Sequence, residues 1–129
     1  MNEVYNNTFY IDSGSLYIVP NAWFVNNIFM ADKQAVMTVQ DPERGIFVNN
    51  CYAGNWKVLP ADATAVKADP LLAAPAVESE EANALEGYSL MAGSPCMDAG
   101  VIIDEHGGKD ILGNVLPQKG KPDIGAVQH

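Results

Sequence analysis

The stretch Asn26-Asn27-Ile28-Phe29-Met30 has an earlier copy, Asn6-Asn7-Thr8-Phe9-Tyr10, and a later one, Asn49-Asn50-Cys51-Tyr52-Ala53. The copies start 26 − 6 = 20 and 49 − 26 = 23 residues apart. Each asparagine pair is followed by a small or branched residue and then an aromatic. The last two copies also agree upstream, Phe24-Val25 against Phe47-Val48. A period in the low twenties fits either a leucine-rich repeat or a parallel β-solenoid. A leucine-rich repeat needs a ladder of leucines, and residues 1–58 contain only Leu16. The segments are instead rich in Val, Ile, Phe, Tyr and Thr, which suit strands.

Short apolar runs such as Leu16-Tyr17-Ile18-Val19 and Ala35-Val36-Met37-Thr38-Val39 have strand length. Turn residues bound them at Asp12-Ser13-Gly14, Pro20-Asn21, Asp41-Pro42 and Arg44-Gly45. Each turn of such a coil carries two or three short strands, stacked about 4.8 Å from the next turn. Asn26, Asn27, Asn49 and Asn50 then have a structural task. Asparagine tolerates left-handed backbone angles and can make the bend between two strands. Stacked copies can also bond amide to amide along the axis, as an asparagine ladder.

Composition narrows the function classes. The chain has 129 residues, enough for one domain, with a formal charge of −9, 48% apolar and 18% charged residues. That charge argues against a nucleic-acid binder, which needs a basic face. The apolar content argues against a disordered acidic tail. The longest uninterrupted apolar stretch, Leu71 to Val77, is far short of the roughly 20 residues of a membrane span. Cys51 and Cys96 match no zinc or redox spacing, and we expect free thiols, with Cys51 facing inward. Residues 1–10 show neither the basic nor the apolar region of a signal peptide. They open straight into a strand-like run, so we expect other turns to precede the first.

From residue 54 the pattern changes to Ala- and Glu-rich stretches and a Gly-rich tail. Five motifs occur there in order: Asp69-Pro70-Leu71; Tyr88-Ser89-Leu90; Ser94-Pro95-Cys96-Met97-Asp98-Ala99-Gly100; Asp110-Ile111-Leu112-Gly113-Asn114; and Pro122-Asp123-Ile124-Gly125-Ala126. This series resembles the C-terminal end of right-handed parallel β-helix proteins of the pectate-lyase-like superfamily. That resemblance implies an all-β fold of about three rungs over residues 1–58. The last rung and a loop-rich C-terminal cap would occupy residues 59–129. It also implies an extracellular or cell-surface setting and an association with polysaccharide. Two positions depart from the family pattern. Val115-Leu116-Pro117 stands where an arginine is usual, and Gln128 stands where the family ends in glutamate. If those two charges normally pair, both are neutralised together here, which strands no buried charge.

Asp98 and Asp123 read as loop-locking groups that accept backbone N–H bonds, with catalysis or calcium binding as the alternative. Gly100, Gly113 and Gly125 would supply positive φ angles. We expect this segment to lie across the open end of the coil and cover its interior.

Candidates for chemistry are few. Arg44, beside Glu43 and Asp41, reads as a solvated turn. His106, in Asp104-Glu105-His106-Gly107-Gly108-Lys109-Asp110, reads as a surface loop without EF-hand spacing. His129, the last residue, reads as frayed. Glycoside hydrolysis needs two carboxylates about 5 to 10 Å apart, and the 16 acidic residues offer no unique pair. Nucleophile elbows, phosphate loops and dinucleotide fingerprints are absent from the sequence. No cofactor is called for; calcium is the one ion the resemblance would suggest.

Sugar binding asks for exposed aromatics. Trp56, placed in the loop after the last repeat copy, is the best candidate, with Tyr52 beside it. Packing on the last rung is the alternative for Trp56, and Trp23 reads as buried or partly so. The expected function is a terminal β-helix unit, non-catalytic alone, that pairs end to end as a homo-oligomer or within a longer coil. The alternatives are a polysaccharide lyase or glycoside hydrolase working in an outer-face groove, or a glycan-binding module.

Overall fold

The computed structural model describes residues 2–18, 21–40, 45–75, 82–104, 107–117 and 120–129. Among these residues seven strands follow one another: β1 (Asn2–Tyr5), β2 (Thr8–Ile11), β3 (Gly14–Ile18), β4 (Ala22–Val25), β5 (Ile28–Val39), β6 (Ile46–Val48) and β7 (Cys51–Val58). The fold is all-β and every strand pairing is parallel. β1, β4 and β6 form one sheet; β2, β3 and β7 all pair with β5 in a second. Thr8 lies beside Ile28, and Ile28 beside Cys51. The repeat offsets of 20 and 23 residues are therefore also the pairing offsets. Each pass of the chain lays its strands on those of the pass before.

Side-chain alternation sorts each strand into two faces. Inward-facing Phe24, Phe29, Met37, Phe47 and Tyr52 form the main core, with Val4, Phe9 and Leu16 packed against it. Equivalent aromatics stack between passes. Phe9 lies 4.9 Å from Phe29, Phe29 lies 5.5 Å from Tyr52, and Phe24 lies 4.9 Å from Phe47, all with nearly parallel rings. Such stacking adds roughly 0.5–1.5 kcal/mol per pair beyond area burial.

The two asparagines of each pair divide their work. The first, at Asn6, Asn26 and Asn49, takes a left-handed backbone with φ of 53°, 57° and 53°. It turns the chain from one sheet into the other. The second builds a ladder. Asn7 donates its backbone N–H and its side-chain amide to Asn27 Oδ1 at 3.0 and 3.1 Å. Asn27 does the same to Asn50 Oδ1 at 2.9 and 3.1 Å. Asn50 does the same to Asp62 Oδ2 at 3.3 and 3.1 Å. The ladder ends at Asp62, whose carboxylate only accepts.

The chain after β7 makes part of one more pass. Val66 bridges Cys51 in parallel fashion, and Leu59 and Ala65 pack on the main core. The remaining loops, with one 3₁₀ helix at Ala82–Tyr88, correct the expected placement of the cap. They run along the flank of all three passes rather than across an end. Asn49 donates to Ala99 O, Asn26 to Val101 O, and the Ala126 N–H to Thr8 Oγ1. A second apolar cluster joins Ile28 and Cys51 of the strands to Leu72, Cys96 and Ile124 of the flank. The reason lies at the corner, where Thr8, Ile28 and Cys51 point away from the main core and need cover.

Gly113 and Gly125 have positive φ, but Gly100 does not. A Cβ at Gly100 would sit 2.8 Å from Asn26 Oδ1 and 3.0 Å from Pro122 O. Glycine is there for space, not for backbone angle.

Candidate functional site

A depression of about 390 Å³ lies on the outer face of the β1–β4–β6 sheet. Strand register builds its floor. Glu3, Trp23 and Ile46 stand in one column across the three strands, and Tyr5, Val25 and Val48 stand in the next. Val101, Ile102, Ile103 and Asp104 form the facing wall. Trp23 is 43% exposed, and Ile46, Val101 and Ile102 are exposed as well. The result is an open groove with an indole on its floor and carboxylates from Glu3 and Asp104.

Asparagines hold the wall in place. Asn26 clasps Val101 twice, donating to its carbonyl at 2.7 Å and accepting from its N–H at 2.9 Å. Asn49, one pass lower, donates to Ala99 O at 3.1 Å. Asn6, one pass higher, has a buried Oδ1 with no hydrogen-bond partner among the described residues. The wall is thus pinned at two of three levels.

Trp23 was expected to be buried or partly so, and it is exposed. The sequence does carry the signal for this. Phe24 is fixed inward by its agreement with Phe47, so the preceding residue must point outward. Trp56 is not in a loop but within β7, half-buried, its Nε1 donating to Phe29 O at 3.1 Å. Tyr52 is 4% exposed. Its ring is stacked on Phe29, and its hydroxyl donates to Asp62 Oδ2 at 3.1 Å. Burial and the adjacent Asp62 carboxylate push that phenol well above its ordinary range. Tyr52 and Trp56 do border one shallow depression with Lys67 and Asp69. Their ring faces, however, serve the core.

The two aspartates play unequal parts. Asp123 is buried, and its carboxylate accepts from the N–H of Asp98 at 2.9 Å and the N–H of His129 at 2.6 Å. The His129 ring lies 2.6 Å from the same carboxylate, so the last residue is tied down rather than frayed. This contact with Asp123 raises the His129 pKa above its ordinary value. Asp98 contributes its backbone and a left-handed φ of 52°, while its side chain is exposed. It donates to the lock and does not accept from it. The Gln128 amide joins the lock, its Oε1 accepting from Asp123 N–H at 2.8 Å. Ligand atoms of Asp98, Asp123 and His129 lie within 4.8 Å of one another. Both oxygens of Asp123 are already taken up by this lock.

Cys51 and Cys96 are buried free thiols that pack in the flank cluster. Contact with the Cys96 thiol and burial push the Cys51 thiol far up. The same contact with Cys51 lowers the Cys96 thiol from its ordinary value, in a side chain that is fully buried. Arg44 with its neighbours Asp41 and Glu43, and also Glu105 and His106, lie outside the described residues. No helix among the described residues is long and apolar enough to cross a membrane.

No protein-family model matches the chain. It is similar to a lacto-N-biosidase of Bifidobacterium longum subsp. longum, 29% identical over 157 aligned positions that take in 98% of this chain. The chain spans 10% of that protein's length.

Proposed function

We propose that the chain is a β-helix unit of a carbohydrate-active protein and that its outer-face groove holds a glycan without cleaving it. The observation that carries this is Trp23, an exposed indole flanked by Tyr5 and by hydrogen-bonding carboxylates. Pyranose rings stack their apolar faces on such rings, and their hydroxyls donate to such carboxylates. The likeness to a lacto-N-biosidase along nearly the whole chain supports a carbohydrate setting. The right-handed β-helix and the membership of the pectate-lyase-like superfamily belong to this proposal. The parallel pairing, the asparagine ladder and the five ordered motifs support them. So does an extracellular or cell-surface location, through the resemblance alone.

Trp23→Ala tests the reading. The side chain is largely outside the core, so the thermal midpoint should move little, while affinity for oligosaccharides falls at least tenfold. Unchanged affinity would refute it. The second reading, hydrolysis in the same groove, is favoured by its two carboxylates and by the same likeness. Release of product from a panel of aryl glycosides, abolished by Glu3→Gln, would establish it.

End-to-end assembly is part of the proposal. Among the described residues, the outer edges of β1, β2 and β3 pair with no strand. Phe9 offers one ring face beyond the aromatic column. Such an edge templates further strand pairing. Light scattering over a concentration series should show association; a monomer at the highest concentration would count against self-pairing.

A further inference from the structure

We infer that the groove takes neutral glycans and discriminates against uronates and other anionic sugars. The inference rests on the groove's being a glycan site, as proposed above, and goes on to name the ligand class.

The lining is six aliphatic side chains, the aromatic rings of Tyr5 and Trp23, and the carboxylates of Glu3 and Asp104. No lysine or arginine lines it among the described residues. Both acids are exposed, one on the floor and one on the facing wall. A neutral sugar presents hydroxyl donors to such groups, and a carboxylate can only accept. A hexuronate replaces one of those donors by a carboxylate. It therefore loses a hydrogen bond and brings like charge into a partly desolvated space. The formal charge of −9 adds an unfavourable field at longer range.

An acidic site can still hold an acidic sugar if a divalent cation bridges them. That needs several ligands converging on one point. The cluster of three candidate ligands found among the described residues is Asp98, Asp123 and His129, and none of them lies in this groove. Among the described residues, Glu3 and Asp104 belong to no cluster of three such ligands.

Matched ligand pairs test the inference on the full chain. Galactan tetrasaccharide is compared with galacturonan tetrasaccharide, a neutral N-acetylhexosamine oligosaccharide with a glucuronate-containing counterpart, and free galacturonan with its methyl ester. Binding is read from the Trp23 indole resonance, assigned with Trp23→Phe, at low salt, with a chelator and then with added calcium. The expected result is that at least one neutral ligand binds and its acidic partner binds at least tenfold more weakly. That gap should narrow at high salt and in the Glu3→Gln/Asp104→Asn double variant. Equal or tighter binding of the uronate, with or without calcium, would overturn the inference while leaving the groove a glycan site. No response to any sugar, of either charge, would remove the glycan reading itself.

Discussion

The strands up to Val58 and the loops that follow meet the same need in opposite ways. Every buried backbone N–H and C=O requires a partner. The strands satisfy theirs by repetition, each pass on the last, with side-chain help at the asparagine corner and from Asn55 and Trp56. Among its described residues, the flank contains no ladder of its own. Besides its apolar cluster and the Gly125 N–H to Asn26 O bond, it is held by single side chains reaching across the chain, such as Asn26 to Val101, Thr8 to Ala126, and Asp123 to Asp98 and His129. Repetition makes the strand region fail as a unit, whereas the flank loses its anchors one at a time.

The sharpest way to break that contrast is at the centre of the ladder. Asn50 is fully buried. It accepts from Asn27 twice and donates to Phe24 O and Asp62. Asn50→Ala leaves several groups unpartnered at once. At about 1–3 kcal/mol for each stranded buried group, with incomplete additivity, we expect a loss on the order of 3–5 kcal/mol. Urea denaturation should show a lower midpoint with an unchanged slope. A loss under about 1 kcal/mol would mean that strand stacking carries the passes without the ladder.

A flank anchor should cost less, and the three corner asparagines provide an internal control. Asn26, Asn49 and Asn6 share one backbone conformation, which glycine also accommodates. Asn26→Gly removes two bonds to Val101, and Asn49→Gly removes one to Ala99. Asn6→Gly removes a side chain whose Oδ1 has no partner. The expected losses fall in that order: about 2 kcal/mol, about 1 kcal/mol, and a few tenths of a kcal/mol. Equal losses at all three positions would show that asparagine serves here only for its backbone angle.

The same comparison explains what could be read from the sequence. The passes were legible because each residue's neighbours recur at a fixed offset. The register of Thr8, Ile28 and Cys51 follows from aligning the copies. The groove was legible in principle, since alternation from Phe24 turns Trp23 outward. Trp56 was misplaced for a physical reason. The pairing of β7 with β5 shifts register between Ala31 and Ala35 and again between Ala35 and Val36. The repeat copy ends at Ala53, so nothing in the repeat marks this irregular continuation of the strand to Val58. The corner asparagines sit in nearly identical local sequence, yet one clasps Val101 and another leaves its Oδ1 without a partner among the described residues. That difference is made 75 residues away and leaves no mark near either position. The path of the flank was illegible likewise. The five motifs describe turns, and a turn does not say which surface it will cover.

The smallest effect we expect is at the end of the flank. Asp123 holds His129 protonated, so the folded histidine has a higher pKa than the unfolded one. The resulting stabilisation is complete below the ordinary histidine value of about 6.5 and disappears as pH rises through the folded value. The His129 side chain is 48% exposed while that of Asp123 is 2% exposed, so solvent screens much of the attraction. A surface-like ion pair of this kind moves a thermal midpoint by about 1–3 °C. The wild-type chain should therefore melt higher than His129→Gln at pH 5.5 by about that much, and the two should converge by pH 8.5. The backbone N–H of residue 129 still reaches Asp123 in the variant, which leaves the ring as the difference being measured. A gap that persisted unchanged at pH 8.5 would assign the effect to packing of the ring. One that widened with pH would mean that the neutral imidazole, donating from Nδ1, is the form that holds the lock.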